Sequence, residues 1–428
     1  MATAQTGSIT TVSTLADLYK KTNTDVQVAL KRVTEEYNWL DEYPDEMIEA
    51  SGNEMRLLLD VNLAYGGAFI PDGGYEDVGA TAAPTHGTLS ISQFNKRFFY
   101  TGLAKALDTR ARAASIQRQT QYQSIKAIEI LANKIGVSSY GFSTGTMAVV
   151  EATGSSGTTH TSLTIKNAFG STTVAGGTTA QDTYLSNLFR VGEGIAFIRS
   201  GSLVEFGVIT ASPGTAGVGT IDLTSNGTMT PTVGDLIVYA NAVTDATLTA
   251  TDQNRWQPGW LDILTSASLH GLATSSATNW QAGYANTAGG RMSWATQEAM
   301  ANGLWNKGGV KMNKAIYSQG VRRDIIAGER AAIRWEGSNF DWDADFGTKG
   351  FKYMTSQLAL PGFFIGWNDQ CVGRKYLSDK PDYDAGPGIF SIDKVQDRSA
   401  WASAFDFFFM RICNNRAGVG YASALTEQ

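Results

Sequence analysis

The order in which segments of different composition follow one another most constrains the fold of this chain. A glycine-rich polar stretch at 65–87 leads into an aromatic, basic segment at 94–100. Residues 109–135 contain neither glycine nor proline, residues 140–254 contain only eleven charged residues, and a mixed segment follows. Because strands and helices leave different periodicities, this order predicts an α+β chain built of several parts.

Composition excludes several classes of protein. The chain has 428 residues, of which 43% are hydrophobic, enough for a large core. Its net charge of −6 argues against tight binding of nucleic acid, which needs a basic face. No run approaches the roughly 20 apolar residues of a membrane span, and residues 1–14 do not have the pattern of a signal peptide. Two cysteines favour unpaired core thiols, with a single bridge left open.

Residues 54–100 predict a long β-hairpin. Glu54–Asn62 has the pattern of a strand, and Leu89–Tyr100 that of a second strand. Four glycines and a proline between Tyr65 and Gly74 are incompatible with a regular core element. We therefore expect a glycine-rich tip between the two strands.

Residues 109–135 predict one long helix. Ile125, Ile128, Leu131 and Ile135 follow one another at spacings of three and four, which places them on one helix face. Gly136 stands where a C-terminal cap would lie.

The remaining chain predicts a β block and then a mixed half. Residues 140–254 contain short β-prone runs separated by glycine, serine, proline and asparagine, as in a small antiparallel barrel or sandwich. We interpret this block as an inserted domain, and two sequential domains are the alternative. Beyond it, the pattern predicts helices at 294–305 and 321–334 and strands at 314–318, 358–367 and 405–412.

Motifs for catalysis or metal binding are weak in this sequence. His86, His160 and His270 lie far apart and at no metal-ligand spacing. Asp341, Asp343 and Asp345 resemble the start of a calcium loop, but the sixth position is Phe346. We predict no catalytic residue, no cofactor site and no metal site, and hence no enzyme.

The order of segments resembles the major capsid protein of tailed bacteriophages, a fold shared with encapsulin nanocompartments. In that resemblance the aromatic run Phe405–Ile412 and the following 414–421 are the closing strands. The implied fold is α+β with an inserted small antiparallel β-barrel or sandwich. The implied parts are an N-terminal arm at 1–50, an extended loop at 51–103, the spine helix of the peripheral domain at 104–139, the inserted domain at 140–254, an axial domain at 255–400 and closing strands at 401–428.

The resemblance implies a structural protein of the virion, assembled in the host cytoplasm. Hexamers and pentamers of this chain would form an icosahedral shell around double-stranded DNA, without binding that DNA tightly and without a membrane. The implied partners are a portal, a decoration or cement protein, and a separate scaffolding protein. The scaffolding protein is implied because the chain before the hairpin is short, and an assembly segment already removed by processing is the alternative. An encapsulin-type shell is the first alternative, and a β-rich hydrolase or a phage tail protein is the next.

Two further expectations concern contacts between subunits. Some members of the family join their subunits through a lysine of the extended loop, but no lysine lies between Arg56 and Lys96. We therefore expect a non-covalent shell. We also expect acidic side chains of one subunit to meet arginines of a neighbour. The residues concerned are Asp72, Glu76, Asp77, Arg110, Arg112, Arg322 and Arg323.

Overall fold

The computed structural model describes residues 48–51, 54–59, 85–89, 92–101, 134, 136–167, 188–211, 219–240, 257–276, 280–332, 351–356, 358–376, 390–394 and 400–427. They belong to two compact units. The first includes the described parts of Ile91–Gly136 and Lys375–Met410. The second includes those of Leu40–Ser90, Val137–Arg374 and Arg411–Gln428.

Strands dominate the described residues. In chain order they are β1 (Ile48–Ser51), β2 (Glu54–Leu59), β3 (Thr85–Leu89), β4 (Ser92–Thr101), β5 (Thr146–Val150), β6 (Gly157–Asn167), β7 (Gly194–Arg199), β8 (Ser202–Ala211), β9 (Thr220–Met229), β10 (Leu236–Tyr239), β11 (Ser268–Leu269), β12 (Leu272–Ala273), β13 (Tyr284–Asn286), β14 (Lys314–Tyr317), β15 (Lys352–Thr355), β16 (Phe364–Trp367), β17 (Val372–Tyr376), β18 (Phe390–Lys394), β19 (Ala400–Cys413) and β20 (Val419–Ala422). The helices are α1 (Trp260–Thr265), α2 (Trp294–Gly308) and α3 (Gln319–Ala332), with 3₁₀ turns at Thr274–Ser276 and Arg416–Gly418.

The hairpin region departs from its predicted form. β2 pairs antiparallel with β3, from Met55 opposite Leu89 to Leu59 opposite Thr85, and β1 pairs with β2 on the other side. The predicted strand Leu89–Tyr100 is wrong, because β3 ends at Leu89 and β4 begins at Ser92. The aromatic half of that segment pairs with β19 instead of β2. The predicted glycine-rich tip lies outside the described residues.

The first unit contains a ladder of long strands. β19 pairs antiparallel with β4 over ten residue pairs, from Ala400 opposite Thr101 to Phe409 opposite Ser92. β18 pairs antiparallel with the other edge of β19. The predicted strand at 405–412 therefore forms, and it is longer than the sequence pattern indicated. Aromatic side chains favour such strands because they pack well across a pleated sheet.

The helix predicted at 109–135 lies largely outside the described residues. Residues 136–140 are helical, so Gly136 is not the C-terminal cap and that prediction is wrong. Val137 and Tyr140 are buried in the last turn. Burial of two large side chains stabilises this turn by more than the roughly 1 kcal/mol that a helical glycine costs.

The low-charge block forms a closed barrel. Its strands follow the order β10-β5-β6-β9-β8-β7, and neighbouring strands are antiparallel. The fully buried interior is aliphatic and aromatic, with Ile195, Phe197, Leu223 and Ile237 at 0% exposure. Of the two predicted forms, a barrel or a sandwich, the chain adopts the barrel. Its status as an inserted domain stays a prediction, as do the other domain boundaries.

An ion pair between a buried carboxylate and an exposed arginine fixes one end of this barrel. Arg199 at the end of β7 donates from Nε and Nη2 to the two carboxylate oxygens of Asp235, both at 2.7 Å. The backbone N–H of Thr232 donates to Asp235 at 2.8 Å, and the Thr232 hydroxyl donates at 3.1 Å. Burial alone would raise the pKa of Asp235, but the hydrogen bonds from Arg199 and Thr232 outweigh it and lower that pKa.

We expect Asp235→Asn to lower the stability of the barrel by about 1–2 kcal/mol, because a neutral amide at this buried position accepts more weakly from Arg199 and Thr232 and sets its own N–H donors against one of theirs. Amide hydrogen exchange in β7 and β10 measures the change locally. Glu151→Gln is the matched control, since Glu151 is exposed and no described residue bonds its carboxylate. Equal exchange in both variants would contradict the role assigned to Asp235.

The mixed half is built around a five-stranded sheet in the order β13-β20-β16-β14-β15. β13 is parallel to β20 and β14 is parallel to β15, whereas the central pairs are antiparallel. The helices predicted at 294–305 and 321–334 and the strand predicted at 314–318 form with small shifts of their ends, whereas the strand predicted at 358–367 is limited to Phe364–Trp367. Met300 and Leu304 of α2 are fully buried in one core cluster with Phe364 and Ala422 of the sheet.

The ends of α2 follow from local sequence. The Ser293 hydroxyl accepts the backbone N–H of Thr296 at 3.2 Å, which caps the N-terminus. Gly309 ends the helix in the left-handed region, with φ of 67°. Both ends are therefore fixed by local sequence, whereas the burial of Met300 and Leu304 sets which face of α2 points outward.

Candidate functional site

The predicted contact residues have different outcomes. Arg322 and Arg323 lie next to each other in α3, where Arg322 is half-buried and Arg323 is exposed. Their neighbour Asp324 is 1% exposed, and the Nε of Arg291 lies 3.0 Å from its Oδ1. Asp324 is thus paired within the chain. The other predicted contact residues, Asp72, Glu76, Asp77, Arg110 and Arg112, lie outside the described residues, so their pairing stays a prediction.

A pair of exposed tryptophans marks a surface that the sequence predictions missed. The side chains of Trp294 and Trp305 in α2 are 45% and 52% exposed, respectively. Lys311 Nζ lies 5.7 Å from the ring centroid of Trp305. The two tryptophans are eleven residues apart, which is close to three helical turns and places both on one face of α2. The sequence could have shown this spacing. Exposed aromatic side chains at such a spacing are typical of binding surfaces.

A buried arginine near the end of β19 connects two segments that are distant in sequence. Arg411, which is 4% exposed, donates to the carbonyl of Ser138 at 2.8 Å and to the Ser139 hydroxyl at 2.7 Å. The backbone N–H of Arg411 donates to Gln257 Oε1 at 2.9 Å. These bonds hold the end of the helical segment 136–140 and the start of α1 against the C-terminal end of β19.

A second buried arginine continues this network. Arg416, at 1% exposure, donates from Nε to the carbonyl of Ile263 at 2.8 Å and from Nη2 to that of Ser266 at 3.0 Å. Asp262 accepts the Ser266 hydroxyl at 2.6 Å and the backbone N–H of Ser143. Trp260 packs on Trp367 with ring centroids 5.0 Å apart. The network orders α1, and the side chains of Trp260, Trp367 and Arg416 in it are buried.

His270 links three segments at a tight turn. Its φ of 52° and the φ of 79° at Gly271 form the two-residue connection between β11 and β12. Its Nε2 accepts the backbone N–H of Cys413 at 3.2 Å, and its carbonyl accepts that of Thr88 at 2.9 Å. Burial and the nearby guanidinium of Arg416 lower the pKa of His270 to about 4. The imidazole is therefore neutral at pH 7 and acts as an acceptor.

The two cysteines are free and buried, as the sequence predicted. Burial and the nearby carboxylate of Asp369 raise the pKa of the Cys371 thiol to about 12. Burial and the neighbouring Cys371 raise the pKa of the Cys413 thiol to about 12 as well. Both thiols are therefore protonated and unreactive at pH 7.

The described residues contain neither a metal-binding group nor a membrane-spanning helix. No group of three or more histidine, cysteine, aspartate or glutamate side chains in this part of the chain is arranged to hold a metal ion. Nor is any helix there long and apolar enough to cross a membrane.

Comparison with known proteins gives similarity at the level of solved structures. No protein-family model matches the chain, and no curated protein matches it. The capsid asymmetric unit of cyanophage A-1(L) is similar with a TM-score of 0.49 and 9% identity, over 87% of this chain and 88% of that chain. The capsid of the native GTA particle gives 0.43 and 9%, over 91% and 90%. The satellite phage P4 procapsid gives 0.36 and 8%, over 94% and 99%.

All three are capsid or procapsid structures. That is the class of protein which the sequence resemblance predicts. Because identities are near 10% and the TM-scores lie below 0.5, the function proposed below rests on the chain's own architecture and contacts.

Proposed function

We propose that this chain is the major capsid protein of a tailed bacteriophage. Copies of it assemble as hexamers and pentamers into an icosahedral shell that encloses double-stranded DNA. The observation that carries the proposal is the combination of parts along one chain. The β2–β3 hairpin, the closed barrel and the sheet with α2 and α3 follow one another along the chain, and this succession supports the proposal.

The chemistry of the described side chains suits a structural role. The cationic groups inside the second unit, Arg411 and Arg416, bond backbone carbonyls and hydroxyls of the same chain. They hold the subunit together and are not presented to a ligand. A net charge of −6 keeps the chain from binding DNA tightly, which would hinder packaging and release.

Assembly from many weak contacts follows from symmetry. Identical subunits in a closed lattice repeat each contact many times, so contacts that are weak singly give a stable shell. The extended loop has no lysine between Arg56 and Lys96 to form a covalent cross-link. The shell is therefore non-covalent, and its partners are a scaffolding protein, a portal and a decoration or cement protein.

Sedimentation of the purified chain tests this proposal. We expect fast-sedimenting particles when the chain is co-expressed with its scaffolding protein, and single chains when those particles are dissolved in denaturing detergent. Assembly without scaffold or DNA would favour the alternative, an encapsulin-type compartment. A chain that stays monomeric under both conditions would contradict both shells.

A further inference from the structure

The outward face of α2 has an unusual composition for an exposed helix. Trp294 and Trp305 are separated by about 20° around the helix axis and by about 16 Å along it. Glu298 lies one turn after Trp294 and is exposed, and the half-buried Ala301 lies between the two tryptophans. This face thus presents two large aromatic rings and one acidic group to solvent.

The charges on α2 and α3 complement each other. Glu298 of α2 and Arg323 of α3 are both exposed. No described residue forms an ion pair or side-chain hydrogen bond with either of them. Asp324, the nearest acidic residue to Arg323 in sequence, is paired with Arg291. Each helix therefore presents at least one charge that has no partner within the described part of its own chain, and the two named here are of opposite sign.

The two tryptophans also differ in what covers them. Lys311 already lies over the ring of Trp305. No described cation lies over Trp294, which is one helical turn from Glu298. An arginine that pairs with Glu298 can stack its planar guanidinium on the face of Trp294, a combination that lysine does not offer equally well.

The exposed area of Trp294 and Trp305 indicates what kind of partner can bind there. The exposed halves of two tryptophans offer roughly 200 Å², well below the roughly 800 Å² per partner of a stable complex of two proteins. A contact this small does not hold a free partner. It suits a contact that a closed assembly of identical chains repeats many times.

We propose that α2 of one copy packs against α3 of a neighbouring copy in the assembled shell. Arg323 of the neighbour pairs with Glu298 and stacks on Trp294. In a ring of copies each subunit offers α2 to one neighbour and α3 to the other, which makes the proposed contact head-to-tail, the type that closes into hexamers and pentamers. This inference rests on the proposed shell function and assigns one of its contacts.

Charge reversal tests the pairing. We expect Glu298→Arg and Arg323→Glu each to reduce the yield of assembled particles at least about tenfold, because like charges then meet in every repeat of the contact. The double variant restores the original attraction and should recover most of the yield. Lys307→Glu, which reverses an exposed charge on the same helix, is the matched control. Circular dichroism verifies that each variant folds.

The outcomes separate this inference from the proposed function. If the wild-type chain never assembles, the shell function itself fails. If it assembles and Glu298→Arg assembles equally well, the α2–α3 contact is overturned and the shell function stands. A double variant that assembles no better than the single variants also overturns the pairing.

Cross-linking tests the geometry independently. Copies with Glu298→Cys are mixed with copies with Arg323→Cys, co-assembled with wild-type chains and treated with a short bis-maleimide. The native thiols are buried and protonated, so they give little background. Cross-linked dimers that need both variants support the contact. Dimers from Glu298→Cys alone would show that α2 meets α2, and an absence of dimers would show that the helices are apart, so either result overturns it.

Discussion

Replacing Arg411 with alanine is expected to lower the free energy of unfolding of the second unit by about 3–5 kcal/mol. The guanidinium is buried and donates to the Ser138 carbonyl and to the hydroxyls of Ser138 and Ser139. Without it these groups remain inside the protein with fewer partners, and a cavity replaces the side chain. Urea unfolding followed by tryptophan fluorescence, to which the buried Trp260 and Trp367 contribute, measures the loss.

Two further variants separate the causes of that loss. Arg411→Lys keeps the charge but cannot reproduce the planar fork of donors, so it should recover only part of the stability. Arg411→Met fills most of the volume without any donor. If Arg411→Met were as stable as the wild type, packing alone would account for the site, and the hydrogen-bonded role of Arg411 would be wrong.

Acidification is expected to destabilise the second unit through His270. The pKa of His270 is about 4 in the folded chain and 6.5 in an ordinary environment. Between these values the unfolded chain binds a proton that the folded chain does not, so stability falls as pH falls from about 6.5 to about 4. The largest loss is about 3 kcal/mol. Protonation also removes the lone pair that accepts the backbone N–H of Cys413.

His270→Asn isolates this effect from the titration of carboxylates. Asparagine tolerates the left-handed backbone conformation at this position and does not titrate. The variant should lose about 1 kcal/mol at pH 7 with the hydrogen bond, and should show a shallower pH dependence between 6.5 and 4. Chemical denaturation across that pH range measures both. Parallel curves for variant and wild type would exclude His270 as the source.

The local sequence pattern predicted where helices and strands form better than it predicted which strands pair with each other. α2 and α3 follow from helical spacing, and β14 and β16 follow from short β-prone runs with turns beside them. Period-2 alternation is the same in a barrel and in a sandwich, so closure of β5–β10 could not be predicted from it. The break between β3 and β4 was missed for the same reason. The alternating pattern continues through 89–100, whereas the pairing partner changes from β2 to β19.

The functional residues were harder to predict because burial decides their roles. Arg411 follows an aromatic run, where an arginine ordinarily marks the solvent face of a strand, yet it lies inside the protein at 4% exposure. Trp294 and Trp305 have a spacing that placed them on one face, but sequence alone does not say whether that face is the core. Arg323 was predicted as a contact residue, and its exposure is compatible with that prediction.

Electron cryo-microscopy of the chain, purified alone and after co-expression with a scaffolding protein, tests the central claim most directly. We expect closed icosahedral shells built of hexamers and pentamers, in which α2 of each subunit faces α3 of the next. Particles that remain single subunits under every condition would contradict the shell function and with it the contact assigned to Glu298 and Arg323.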